Sequence, residues 1–181
     1  CSSDLIRRAG PFALKPRKNR FQSLAFSIVS QQISVSAART IRERLMQLVE
    51  PEGLTPERLS ALAPEQLRSA GLSRQKSGYL MDLAASVTNG RVELNRIGRL
   101  PDEQVIDMLV QIKGIGVWTA QMFLIFSLGR MDVFPHGDLG VRTAIQRLYG
   151  LDALPNREQS EQIAEQWRPY ATIGSWYCWR S

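Results

Sequence analysis

An aspartate placed directly before an amphipathic run, as Asp138 is before "LGVRTAIQRLY", suits two kinds of work. Its side chain can cap the free amides of the helix that follows. A carboxylate fixed in that way can also stabilise positive charge developing on a substrate, or orient and deprotonate an attacking water. Upstream, "IKGIGVWTA" (residues 112–120) sets Gly114 and Gly116 on either side of Ile115, with Lys113 in the same turn and Trp118 just after it. Glycines there permit positive φ and close backbone approach. A helix starting near Val117 turns its free amides and positive dipole end toward that hairpin, a combination suited to a phosphate. Asp132 and Asp152 lack the helix-start context and read as structural. With one histidine, His136, and two cysteines, Cys1 and Cys178, the chain has too few soft ligands for a four-cysteine zinc or iron–sulfur site.

The elements that must position these residues are helical. Apolar side chains repeat at three and four residues in Phe21, Leu24, Ala25, Ile28 and Val29, and again in Ile41, Leu45, Leu48 and Val49. Leu80, Leu83, Ala84 and Val87 repeat in the same way, as do Val105, Met108, Leu109 and Ile112. Thr55-Pro56-Glu57 and Ala63-Pro64-Glu65 are start signals, and Gly53, Gly71, Gly90 and Gly150 are stops. The hairpin then joins a helix from about Pro101 to Gln111 to one beginning near Val117. The basic run "KPRKNR" (residues 15–20) reads as a strap or linker before the first core helix, or equally as solvated surface. The expected class is all-α.

Within 181 residues there is room for one good core or two small lobes. A formal charge of +6, from 23 Lys and Arg against 17 Asp and Glu, favours a polyanionic partner. The longest apolar stretch, Trp118 to Leu128, is too short to span a bilayer and is broken by Thr119, Gln121 and Ser127. No membrane partner is expected. With no leader evident, the expected location is cytoplasmic, or nuclear in a eukaryote.

"IKGIGVWTA" followed by "DVFPHGDLGVR", together with "FSIVSQQISVSAA" (residues 26–38) and "WRPYATIGSWYCWR" (residues 167–180), resembles the helix-hairpin-helix DNA glycosylase superfamily, specifically its 3-methyladenine DNA glycosylase II branch. The resemblance runs through most of the chain in the right order. It implies two helical lobes with an active-site cleft between them. Residues 21–130 would form the lobe with the helix-hairpin-helix (about 101–128), and residues 1–20 plus 131–181 the lobe carrying the catalytic aspartate. Asp138 would then stand at the cleft with Trp118 opposite.

The resemblance also implies a chemistry. Asp138 becomes the catalytic carboxylate for hydrolysis of an N-glycosidic bond through an oxocarbenium-like state. Members that also cleave the backbone carry a lysine where this chain has Trp118, so the expected enzyme is a monofunctional glycosylase without lyase activity. Trp118, Met122 and Trp176 are the candidate base pocket, while Trp179 reads as core; electron-rich rings suit cationic alkylated purines. Gln32 is the candidate plug for the gap left by the flipped base, with Gln31 beside it contacting the opposite strand or the fold. Lys113, Gly114, Ile115 and Gly116 complete the DNA-binding set. No organic cofactor is expected; a sodium or potassium ion on the carbonyls of Ile112 and Ile115 would link hairpin to phosphate. Ala171 departs from the family pattern, which often has arginine after the Pro-aromatic pair. The expected partner is double-stranded DNA with damaged bases, met by a monomer, and the rival reading is a non-catalytic helix-hairpin-helix DNA-binding module.

Overall fold

A computed structural model describes residues 2–181; Cys1 lies outside the described residues. Eleven α-helices follow one another, and no strand occurs among the described residues. They are α1 (Ser2–Ala9), α2 (Arg20–Ser30), α3 (Val35–Leu48), α4 (Pro56–Ser60), α5 (Pro64–Ser69), α6 (Arg74–Thr88), α7 (Asp102–Leu109), α8 (Val117–Phe123), α9 (Leu139–Tyr149), α10 (Arg157–Ala164) and α11 (Ala171–Cys178). The chain is therefore all-α, as its periodicity predicts. No described helix is long and apolar enough to cross a membrane.

Local chemistry sets the helix starts. Asn19 at the end of the basic strap accepts the Gln22 amide at 3.0 Å, Ser34 the Ala37 amide at 3.2 Å and Ser73 the Lys76 amide at 3.2 Å. Thr55 caps α4 ahead of Pro56, and Asn156 and Gln159 cap α10 reciprocally. Gly53, Gly71, Gly90 and Gly150 all adopt positive φ where the sequence marks stops.

Two compact units divide the chain: Arg17–Ala120, and Cys1–Pro16 with Gln121–Ser181. In the first, α2 and α6 bury Phe21, Leu24, Ala25, Ile28, Val29, Leu80, Leu83 and Ala84. The second has a core of Val141, Ala144, Ile145 and Cys178, with Phe134, Leu148, Leu151, Ile163, Trp167 and Trp179 packed against it.

These boundaries differ from the expected ones after residues 20 and 130. The division falls inside α8, and from Gln121 onward contacts to later and N-terminal segments appear. Gln121 Nε2 donates to the Phe134 carbonyl at 3.1 Å, and a Cβ on Gly129 would lie 2.8 Å from Pro16. Beyond Phe123 the helix continues as a π-helix, Leu124–Leu128, and stops at Gly129 in the left-handed region (φ 69°).

Candidate active site and hairpin

In the unit that contains α9, Asp138 is the N-cap of that helix: its Oδ1 accepts the Val141 amide at 2.9 Å. The same oxygen accepts the indole Nε1–H of Trp179 at 3.0 Å. Trp179 in turn stacks on Phe126, with ring centroids 5.6 Å apart and 29° between planes. The carboxylate is thus held from its own helix and from the C-terminal segment.

Trp176, a candidate for the base pocket, lies in an aromatic cluster. It is 6% exposed, packed edge-on against Phe12 (5.3 Å) and Tyr177 (4.9 Å), with the Arg180 guanidinium 4.1 Å from its ring centre. Trp179, read from the sequence as core, donates to the carboxylate. Met122 is half-buried on α8.

Other candidates around Asp138 have structural occupations. Asp132 accepts the Ala171 amide at 3.1 Å and pairs with Arg168 at 2.8 Å, tying down the start of α11. Ala171 is fully buried, so the position that departs from the family pattern contributes backbone rather than a charged side chain. Burial first, then the nearby Arg157 charge, pushes the His136 pKa below the usual imidazole range, against an opposing effect of Glu161. Burial, reinforced by the Asp138 charge and opposed by Arg147, pushes the Cys178 thiol up to about 12.

The other unit contains the glycine turn. Gly114 has φ 83°, and a Cβ there would meet the Tyr79 ring at 2.2 Å, so the position requires glycine twice over. Gly116 differs: its φ is not positive, and a Cβ would have nothing within 4 Å. Around the turn, the Lys113 amide donates to Asp82 Oδ2 at 2.8 Å and the Ile115 amide to the Ile112 carbonyl at 3.0 Å. Ile115 is buried beneath the turn while the Lys113 side chain is exposed. Trp118, at the start of α8, is 46% exposed, far from a core tryptophan.

The glutamine pair splits into two roles. Gln31 Nε2 donates to the Gly114 carbonyl at 2.7 Å, so Gln31 braces the hairpin. Gln32 is exposed and has φ 55°, the one positive φ outside glycine among the described residues. Such a backbone persists only where its surroundings enforce it. Lys76 does part of the enforcing, donating to the carbonyls of Val29 (2.8 Å) and Gln31 (2.6 Å) at the end of α2. Burial lowers its pKa. Ile33 and Val35, 36% and 88% exposed, give the same tip an apolar face.

Sequence reasoning read Trp179 as core without its bond to Asp138, and did not foresee the structural bonds and contacts of Lys76, Tyr79 and Asp82. Trp179 and Asp138 lie 41 residues apart, Lys76 and Val29 47, Lys113 and Asp82 31, so no local pattern marks the pairs.

An all-helical chain with a glycine hairpin between α7 and α8 and an aspartate capping α9 defines a class, and the comparisons name it. The family model for HhH-GPD superfamily base excision DNA repair proteins matches residues 25–169, and the chain belongs to that superfamily. It is similar to the solved DNA-3-methyladenine glycosidase of Bacillus halodurans, with 38% identity, a TM-score of 0.90 and coverage of 98% of this chain and 82% of that one. It is also similar to the 3-methyladenine DNA glycosylase of Schizosaccharomyces pombe, solved with abasic DNA, with 31% identity, a TM-score of 0.88 and coverage of 98% and 89%. A Bacillus subtilis protein, named provisionally as a DNA-3-methyladenine glycosylase, is 33% identical over 160 residues, 85% of this chain. The chain spans 56% of that relative's length.

Proposed function

We propose that this chain is a monofunctional DNA glycosylase that excises alkylated bases from duplex DNA by hydrolysis and leaves an abasic site. The observation that carries this reading is the Asp138 carboxylate, anchored through Oδ1 by the Val141 amide and the Trp179 indole within an HhH-GPD chain. Breaking the N-glycosidic bond develops positive charge on the deoxyribose, which a preorganised carboxylate stabilises while it orients the attacking water. Trp118 offers an exposed ring on which an extruded cationic purine can stack. Gln32, on its constrained turn, is the plug for the vacated space, and Gln31 supports the hairpin behind it. Lys113, the Gly116 region and the start of α8 bind phosphate. Similarity to proteins named for 3-methyladenine excision supports the substrate class.

Absence of lyase chemistry rests on Trp118, which has no amine, and on the placement of Lys76 and Lys113. Lys76 is committed to two backbone carbonyls, and Lys113 stands in the phosphate-binding turn rather than at position 118. The hairpin carbonyls of Ile112 and Ile115 fit sodium or potassium as neutral oxygen donors, although Ile112 also accepts the Ile115 amide. A cation there would add positive charge at the phosphate contact.

The test is base release from duplexes each carrying one lesion (N3-methyladenine, N7-methylguanine, 1-methyladenine, 3-methylcytosine or hypoxanthine) by the wild-type chain and by Asp138→Asn. Asparagine keeps the oxygen that Val141 and Trp179 bind and is itself a good cap, so the variant should fold and bind DNA. Its excision should fall by about 10²-fold or more, the scale of losing a preorganised electrostatic stabiliser. Wild-type turnover by Asp138→Asn would remove the carboxylate from the mechanism, and binding without release by either protein would favour a non-catalytic module. Strand cleavage without heat or alkali, or a covalent adduct trapped by borohydride, would overturn the monofunctional assignment.

A further inference from the structure

We propose that Trp179 is a positioning residue for the Asp138 carboxylate, aimed by Phe126 at an oxygen to which Gly140 leaves room; the inference rests on the glycosylase reading and extends it. Capping alone needs only the bond from the Val141 amide. The Trp179 Nε1–H reaches the same oxygen from α11's end, 41 residues along the chain, and narrows the carboxylate's orientation beyond what the cap requires. Two donors converging on Oδ1 restrict the torsions of the Asp138 side chain and so the directions in which Oδ2 can point. Indole nitrogen donates and never accepts. Trp179 therefore cannot take part in proton transfer and acts through orientation alone.

Three features show how the indole and its acceptor are held. Its ring stacks on Phe126 (5.6 Å, 29°), which lies in the π-helical stretch Leu124–Leu128 rather than in regular α-helix. Its other contacts are with the core around Val141, Ala144, Ile145 and Cys178. At Gly140, a Cβ would stand 3.2 Å from Asp138 Oδ1, tight enough that the carboxylate oxygen must give by a few tenths of an ångström, and in ordinary contact with Trp179 Cδ1 at 3.5 Å. The φ of Gly140 is not left-handed, so the backbone does not require glycine, and the tight neighbour of a Cβ there is the carboxylate oxygen.

The experiment separates orientation from folding. Single-turnover release of methylated purines from dimethyl sulfate-treated duplex measures the chemical step. Affinity for a duplex with a tetrahydrofuran abasic-site analogue measures binding, and thermal melting measures stability. Replacing Trp179 by β-(3-benzothienyl)alanine exchanges N–H for sulfur and keeps the ring's size. That protein and Trp179→Phe should excise about 10- to 100-fold more slowly, the range expected for a misplaced catalytic group, with abasic-analogue affinity within about twofold of wild type. Gly140→Ala should slow excision in the same direction, because its Cβ presses on Asp138 Oδ1, with abasic-analogue affinity again within about twofold of wild type. Wild-type excision by the benzothienyl protein overturns the inference even if Trp179→Phe fails to fold. So does a loss of rate matched by equal losses of affinity and melting temperature. A wild-type chain inert on the methylated duplex overturns the glycosylase reading and this role with it, whereas an active wild type with an equally active benzothienyl protein overturns only the role.

Discussion

Burial and charge at single residues turn the neighbourhood of Asp138 into something testable outside catalysis. Cys178 packs under α9 in the same core as Trp179, and its thiol titrates near 12 rather than near 9.0. Desolvation dominates that rise, and the Asp138 charge adds to it. The unfolded chain binds fewer protons than the folded chain between those two values, so the contribution is fully present below about pH 9 and is lost as pH climbs toward 12. Urea midpoints of wild type and Cys178→Ala, followed from pH 7 to 11.5, should therefore differ by a constant amount up to about pH 9 and converge above it. Cys1 is common to both proteins and cancels. A gap that stays constant throughout would mean that solvent reaches the thiol and that the core beneath Trp179 is looser than its packing suggests.

At the scale of elements, the hairpin between α7 and α8 shows what a sequence conveys and where it stops. Its place, its two glycines and the helix after it follow from local pattern: α7 ends at Leu109, α8 begins at Val117, and the turn lies between. Pattern cannot tell the glycines apart, since what differs is the distant Tyr79 ring from α6 against one and open space against the other. Gly114→Ala incurs both an unfavourable φ and a clash, and should cost roughly 2–4 kcal/mol in urea unfolding. Gly116→Ala should leave stability within about 0.5 kcal/mol of wild type, as substitutions away from packing do. Equal destabilisation by the two would show that Gly116 serves the fold instead of an incoming backbone. The same limit explains the tryptophans. Trp176 and Trp179 lie one turn apart in one aromatic run, and only the assembled core decides that Trp176 is clasped by Phe12 and Arg180 while Trp179 reaches Asp138. The starts after Thr55 and Ala63, the glycine stops and the capping aspartate were legible because each is written within four residues.

For the whole molecule, the net charge of +6 does not lie in every arginine. Arg39, Arg68, Arg96 and Arg157 pair with Glu43, Glu65, Glu93 and Glu161 one turn away, and Arg168 pairs with Asp132, so these regions are close to neutral. The surplus is carried by the remaining cations, among them the exposed Lys113 of the hairpin. Affinity for undamaged duplex should then fall linearly on a logarithmic salt scale, with a slope of about −0.9 for each phosphate neutralised. Two kinds of hairpin contact are separable on that plot. A lysine releases a counterion from its phosphate, whereas a backbone amide binds phosphate without neutralising a unit charge. Lys113→Ala should lower affinity and make the slope shallower by about one. Gly116→Ala should lower affinity by obstructing the amides and leave the slope as in wild type. Titrations from 50 to 300 mM salt (roughly the range in which counterion release dominates) would decide between the two. A shallower slope for the glycine variant would mean that the whole hairpin, Lys113 included, had left the duplex. An unchanged affinity would mean that the backbone never approached the phosphate.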